Sequence, residues 1–171
     1  MARGGFASLK SIKFSSSLQS IGTSAFSSCA SLENLILPES LTEIAGGAFS
    51  SCYQLKSISV PSGITVINNS LLYACYNLRS VEFKGTITQI GGSAFYNCDY
   101  LTDIVFDDAL TAIGASSFTN CKALVALEID AAEPPVLDNV NAFNNTTFPI
   151  YVPAASVDAY KAAENWSTLA D

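Results

Sequence analysis

Three sets of residues in this sequence could carry chemistry, and a spacing of 23 runs through all of them. Cys29, Cys52, Cys75, Cys98 and Cys121 are all the cysteines of the 171-residue chain. Thiols in such a series are candidates for disulfides or for a soft metal. Asp107 and Asp130 repeat with the same spacing, and Asp108 and Glu128 lie beside them. Paired carboxylates can hold Ca²⁺, or split their pKa values for acid–base work on a glycosidic bond. Tyr53 and Tyr76 each follow a cysteine, Tyr73 and Tyr96 each precede one, and Tyr100 lies close by. Tyrosine offers contact area and a hydroxyl at low entropic cost, which suits recognition.

The period limits these chemistries. A fixed repeat of this length is the mark of stacked coils. Equivalent residues of neighbouring coils then lie about 4.8 Å apart with parallel side chains. A disulfide needs approaching Cβ atoms about 3.5–4.5 Å apart. The cysteine count is odd, and the sequence has neither histidine nor a C-x-x-C pair. The usual zinc ligand set is therefore missing, and the thiols read as a buried column of small, weakly polar groups. Zero histidines also remove the commonest general base and the Ser-His and Cys-His pairs. No P-loop, G-x-S-x-G or G-x-G-x-x-G occurs. No catalytic residue, metal or cofactor is expected. Asp107 and Asp130 are expected near 5 Å apart. With Glu128 they form the one candidate cation site, which a solvated acidic edge explains equally well. The five tyrosines lie off the apolar template and are expected to form an exposed aromatic ridge, the candidate binding surface.

The elements that position these residues follow from the same ruler. Leucine stands three residues after each cysteine, from Leu32 to Leu124, with Leu9 opening the series. Each unit continues as L-x-x-I-x-F, for example Leu101, Ile104, Phe106. Its last two apolar residues alternate with a polar one, the pattern of a short half-buried strand. The unit at Leu9–Phe14 and the pair Ile150/Val152 bring the expected strand count to seven. A turn with Pro38, Pro61 or Gly63 ends the strand. A second apolar pair, such as Leu41/Ile44 or Ile87/Ile90, returns on the opposite side as a short strand or arc. Gly22, Gly91 and Gly114 mark a bend. The Ala-Phe-x-x-Cys stretch is too short for a stable helix and suggests a 3₁₀ turn. One unit cannot bury its apolar set alone and must stack on its neighbours.

These residues resemble the BspA-like leucine-rich repeats of bacterial surface proteins. Leu32 to Cys52, with Pro38, Ser40-Leu41, Ile44 and Ala48-Phe49, follows that 23-residue pattern closely. The resemblance implies a mainly β, right-handed leucine-rich-repeat solenoid with a C-terminal helical cap. It implies a secreted or cell-surface protein that binds a protein or glycan on another cell, without catalysis. The alternatives are a structural spacer within a longer surface protein and, more weakly, a carbohydrate-active enzyme using Asp107 and Asp130. The whole chain reads as one domain: a partial leading repeat over 1–8, regular repeats over 9–130, and a degenerate last repeat with the cap over 131–171. Phe6 takes a cysteine position and Arg3 a phenylalanine position, so the chain is expected to be a piece of a longer protein.

Composition agrees. The net charge of −7 argues against nucleic acid, which needs a basic footprint. The acids cluster in the C-terminal half, which could favour head-to-tail contacts. No segment approaches the ~20 apolar residues of a membrane span. Met1-Ala2-Arg3-Gly4-Gly5 does not open a signal peptide. Ser156 suits a helix N-cap, Asp158 suits the positive helix end, and Tyr160 and Trp166 offer surface to cover the last coil. The outward strand positions, such as Ser57/Ser59 and Asp103/Val105, are polar and without aromatics, so no binding anchor stands out there. Sequons occur at Asn68, Asn144, Asn145 and Asn165.

Overall fold

A computed structural model describes residues 6–169; the reading of Arg3 lies outside them. The alternating segments form β2 (Asn34–Ile36), β4 (Ser57–Val60), β6 (Ser80–Phe83), β8 (Asp103–Phe106), β10 (Ala126–Ile129) and β12 (Ile150–Tyr151). They make one parallel sheet in the order β12-β10-β8-β6-β4-β2. Leu35 faces Ile58, Ile58 faces Val81, and Leu127 faces Ile150. Each coil therefore adds one strand at an unslipped spacing.

Of the seven expected strands, the last forms at Ile150–Tyr151 as β12, and the first, over Ile12–Phe14, is not formed among the described residues. Ile12 and Phe14 pack half-buried against the core, and the Phe14 ring meets Phe26 edge-on at 5.5 Å. Ser15-Ser16-Ser17 replaces the proline turn: Leu18 N–H donates to Ser15 O (3.2 Å) as Leu41 N–H does to Pro38 O (3.1 Å), and in addition Ser17 N–H donates to Ser15 Oγ (3.3 Å). Such local side-chain bonds compete with a ladder.

The return segments form β1 (Ser20–Ile21), β3 (Glu43–Ile44), β5 (Val66–Ile67), β7 (Gln89–Ile90), β9 (Ala112–Ile113) and β11 (Val136–Leu137). They pair in parallel as β1-β3 and as β11-β9-β7-β5. The break falls at Asn68, which takes the place of Ala45, Gly91 and Gly114 in other coils. Its Nδ2 donates to Ile44 O at 2.7 Å. Elsewhere a backbone amide fills that role, as Gly91 N–H does to Ile67 O at 2.7 Å. The bend glycines differ in kind. A Cβ on Gly114 would lie 2.4 Å from Gly92 N, and one on Gly91 2.5 Å from Asn69 N. A Cβ on Gly22 would meet nothing within 4 Å.

The Ala-Phe-x-x-Cys stretch is not a continuous 3₁₀ helix. Alternate amides close local turns, as Ala48 N–H to Ala45 O (3.3 Å) and Ser50 N–H to Gly47 O (3.0 Å). The amides between them donate to the next coil: Gly47 to Asn69 O, Phe49 to Leu71 O, Ser51 to Tyr73 O, at 2.9, 3.1 and 2.7 Å. Left-handed residues at two positions per coil make this alternation. Ser24, Gly47, Ser70, Ser93 and Ser116 hold one position, with φ between 55° and 65°. Ser28, Ser51, Ala74, Asn97 and Asn120 hold the other, with φ between 56° and 63°. A positive φ at the third residue of a turn re-aims the next amide outward, which a 3₁₀ run cannot do.

Phenylalanines and cysteines fill the interior. Phe26 stacks on Phe49 at 5.7 Å, Phe95 on Phe118 at 5.3 Å, and Phe118 on Phe143 at 5.8 Å. All five cysteines are buried and free. Four of them donate their S–H to a carbonyl one coil back: Cys52 to Phe26, Cys75 to Phe49, Cys98 to Leu72 and Cys121 to Phe95, at 3.3, 3.3, 3.4 and 3.2 Å. The thiol column thus stitches coil to coil.

Burial pushes the Cys52 and Cys121 thiols up to about 12 and drives Cys75 and Cys98 well above the ordinary range. Burial also raises the Tyr160 phenol to about 12. These groups keep their protons in the folded state while the unfolded chain loses them above about pH 8.5–10. Stability is therefore full below pH 8 and falls as pH rises toward 12. Chemical denaturation at pH 7.5 and pH 10.5 checks this; an unchanged midpoint contradicts it.

The last coil gains two residues before its Ala-Phe stretch and gives them back before β12, where Leu127 still faces Ile150. Phe118 N–H bonds Ala142 O at 2.8 Å and Asn120 N–H bonds Asn144 O at 3.0 Å. By this offset Thr146, and not Asn144, takes the cysteine position. The cap follows as a 3₁₀ turn (Ala154–Ser156) leading into α1 (Val157–Ala162). Ser156 stands at the N-cap position as expected, but it is buried and makes no side-chain cap bond; Asp158 stands in the first turn. Tyr160 OH donates to Ala131 O at 3.0 Å and Trp166 Nε1 to Pro135 O at 2.7 Å, with Trp166 5.9 Å from Phe143. Among the described residues no helix is long and apolar enough to cross a membrane.

Candidate functional site: a tyrosine edge

The turns on either side of the cysteines carry the tyrosines, Tyr53, Tyr76 and Tyr100 after a cysteine and Tyr73 and Tyr96 before one. Tyr53 and Tyr76 stack at 5.3 Å and 19°, and Tyr73 and Tyr96 at 5.0 Å and 9°. The coil spacing sets both distances. The structure resolves the expected ridge into two columns, one on each side of the cysteines. Tyr53, Tyr76 and Tyr100 are 39%, 40% and 54% exposed, while Tyr73 and Tyr96 are half-buried. Asn77 Nδ2 donates to Tyr53 O at 2.8 Å and ties adjacent coils together beneath the first column.

Charged residues border this edge. In the column four residues after cysteine, Lys56 pairs with Glu33 at 2.6 Å. Beside Tyr76, in the next coil, Asp99 pairs with Lys122 at 3.0 Å. Arg79 lies between them, with its guanidinium carbon 6.0 Å from the centre of the Tyr100 ring, and takes part in no ion pair among the described residues. The sequence reading assigned no role to Arg79. Its position four after Cys75, one coil before Tyr100, was the available signal.

The acidic constellation divides: Asp107 and Asp130 flank one hollow, and Glu128 stands on the strand face. Glu128 sits mid-strand opposite Val105 and Tyr151. Asp130 follows β10, and its N–H bonds Phe106 O at 3.0 Å. Asp107 turns back on its own chain and accepts from Ala109 N–H at 3.2 Å. Asp107 and Asp130 border a shallow hollow with Phe83, Ile87 and Phe106. Among the described residues no group of three His, Cys, Asp or Glu side chains could hold a metal ion.

The strand face corrects another expectation. Tyr151 continues the column of Ile36, Ser59, Glu82, Val105 and Glu128 and is 57% exposed. The face thus has one aromatic, at its C-terminal edge. Of the sequons, Asn68 and Asn165 spend their amide nitrogens on the fold, Asn165 donating to Leu137 O at 2.7 Å. Asn145 extends an amide column through Asn120 to Asn97, with bonds of 2.9 and 2.7 Å. Asn144 is exposed and bonds only Asn141 Oδ1, at 3.0 Å.

Residues 5–125 match the BspA type leucine rich repeat region in six copies. Among solved structures, a leucine rich cell surface protein from Faecalibacterium prausnitzii A2-165 is 31% identical. That match covers 71% of this chain and 32% of the other, with a TM-score of 0.62. A leucine-rich repeat protein from Bacteroides ovatus ATCC 8483 is 22% identical over 81% of this chain and 48% of its own, with a TM-score of 0.58. At that identity the second match shows the fold alone. The chain spans about a third to a half of the length of these two proteins. No curated protein matches it. Its coils, its spacing and the six matched copies establish one conclusion: the chain belongs to the BspA type leucine-rich repeat family.

Proposed function

We propose that this chain is a non-catalytic protein-interaction module of a secreted or cell-surface protein, and that the tyrosine edge is its binding surface. One observation carries the reading. Five tyrosines stand outside the apolar template around the cysteine turns of successive coils, and three are more than a third exposed. The Faecalibacterium relative, a cell surface protein by its name, supports the location.

The stacking also favours a protein over a glycan. Faces 5.0–5.3 Å apart and within 19° of parallel cover one another. Edges and hydroxyls remain on offer, which suits a packed protein interface. A sugar platform needs an open ring face.

An array of cell-surface proteins and glycans, probed with the folded chain, tests this. Protein hits that are lost in the Tyr53→Ala/Tyr76→Ala/Tyr96→Ala variant are expected. The loss is at least about 30-fold, since a buried tyrosine anchor contributes about 2 kcal/mol. Hits unchanged in the variant overturn the site. No hits at all favour a structural spacer.

A further inference from the structure

Arg79 gives the tyrosine edge a preference for charge. It is one of two arginines in the chain. Its backbone is fixed between coils: Arg79 N–H donates to Lys56 O at 2.9 Å, and Arg79 O accepts from Thr102 N–H at 3.2 Å and Thr102 Oγ1 at 3.3 Å. Its side chain is exposed, and the guanidinium lies over the Tyr100 ring. An aromatic face holds a guanidinium by its quadrupole and leaves the N–H fork open.

The neighbouring cations differ. Lys56 is neutralised by Glu33 at 2.6 Å and Lys122 by Asp99 at 3.0 Å. Lys84 is held by Glu39 at 2.5 Å. Among the described residues Arg79 takes part in no ion pair; Lys10 of the same column acts on Glu33, and Arg79 is the cation that sits beside the tyrosines. A planar fork matches a carboxylate in two parallel hydrogen bonds. The chain as a whole carries −7, so the attraction of Arg79 for an acidic partner is local and acts within about a Debye length.

We infer that Arg79 is a specificity residue, and that the partner is a protein presenting an aspartate or glutamate carboxylate to it between Tyr76 and Tyr100. This rests on the tyrosine-edge reading. The covered ring faces favour a polypeptide over a carboxylated glycan, which becomes an outcome of the test.

The test uses fluorescently labelled (Glu-Ala)₅ and (Gln-Ala)₅ peptides, with polygalacturonate as the glycan probe, on the whole folded chain. At low salt the acidic peptide is expected to bind at least tenfold tighter than the glutamine peptide. Arg79→Gln removes that difference, and Arg79→Lys keeps part of it. Raising salt to 0.5 M weakens acidic binding, since screening shortens the reach of an exposed charge. Thermal midpoints of both variants are expected to match the parent, because Arg79 is exposed.

Equal binding of the two peptides, or an acid preference that survives Arg79→Gln, overturns the inference. Arg79-dependent binding of polygalacturonate without the peptide also overturns it and moves the carboxylate to a glycan. If Tyr76→Ala abolishes binding to array-identified protein hits while Arg79→Gln does not, the edge remains the site and only the charge preference falls.

Discussion

Gly114→Ala lowers the unfolding free energy by about 3 kcal/mol, the upper end of what overpacking costs. The added Cβ lies 2.4 Å from Gly92 N, 2.6 Å from Gly91 C and 2.8 Å from Gly92 Cα. All three are backbone atoms of the preceding coil, so no side chain can swing aside. Relief requires the two coils to separate, and separation stretches the bond from Gly114 N–H to Ile90 O at 2.7 Å. Gly22→Ala is the matched control. Its Cβ meets nothing within 4 Å, and its φ is outside the left-handed range. It is expected to gain about 0.5 kcal/mol through a stiffer unfolded chain. Urea denaturation of both variants decides the matter. Equal midpoints would mean that close coil approach does not set the glycine positions.

Phe118→Ala costs about 3–5 kcal/mol, the usual range for emptying a buried phenylalanine site. Phe118 is fully buried. It stacks on Phe95 at 5.3 Å and Phe143 at 5.8 Å, and meets Phe106 edge-on at 6.3 Å. The cavity therefore touches both coil interfaces and the sheet. In a stacked array each coil is stabilised by its neighbours, so damage at one interior coil weakens coupling on both sides. Phe143 carries the ring stack into the cap, where Trp166 packs on it at 5.9 Å. The tryptophan fluorescence transition is expected to move to lower urea than the far-UV transition. Coincident transitions, displaced by less than about 1 kcal/mol, contradict the account of the core. Phe26→Ala, at a half-buried position near the first coil, is expected to cost less.

Much of this was legible because a constant period converts sequence position into spatial position. The strands, their register, the buried cysteines and the cap tryptophan all follow from it. What escaped lies where one side chain changes the backbone. Asn68 looks like a variant of the glycine bend, yet its amide replaces a backbone donor and splits the second sheet. Serine and asparagine at positive φ turned an expected 3₁₀ run into overlapping turns. Apolar periodicity carries no signal for φ, although the recurrence of Ser, Asn and Gly at those positions does. Ser15-Ser16-Ser17 removed the first strand by bonding locally.

The site was legible in the same partial way. The ruler placed all five tyrosines on the coil edge. It could not say that rings one coil apart turn their faces to each other, which changes what they can bind. Nor could it find Arg79, whose meaning comes from its contact with Tyr100 and from the acids that hold Lys56 and Lys122. The shared repeat position did bring Asp107 and Asp130 to one hollow, but it could not say where their neighbours turn. Glu128 belongs to the strand face, and Asp107 is engaged with its own turn.

The central claim is that recognition uses the tyrosine edge and not the strand face. Hydroxyl-radical footprinting of the tyrosines, with and without the protein retrieved by the array, tests it most directly. Tyr53, Tyr76 and Tyr100 are expected to lose most of their labelling in the complex. Tyr151, 57% exposed on the strand face, is expected to label as before. Protection of Tyr151 with the other three unchanged would contradict the account.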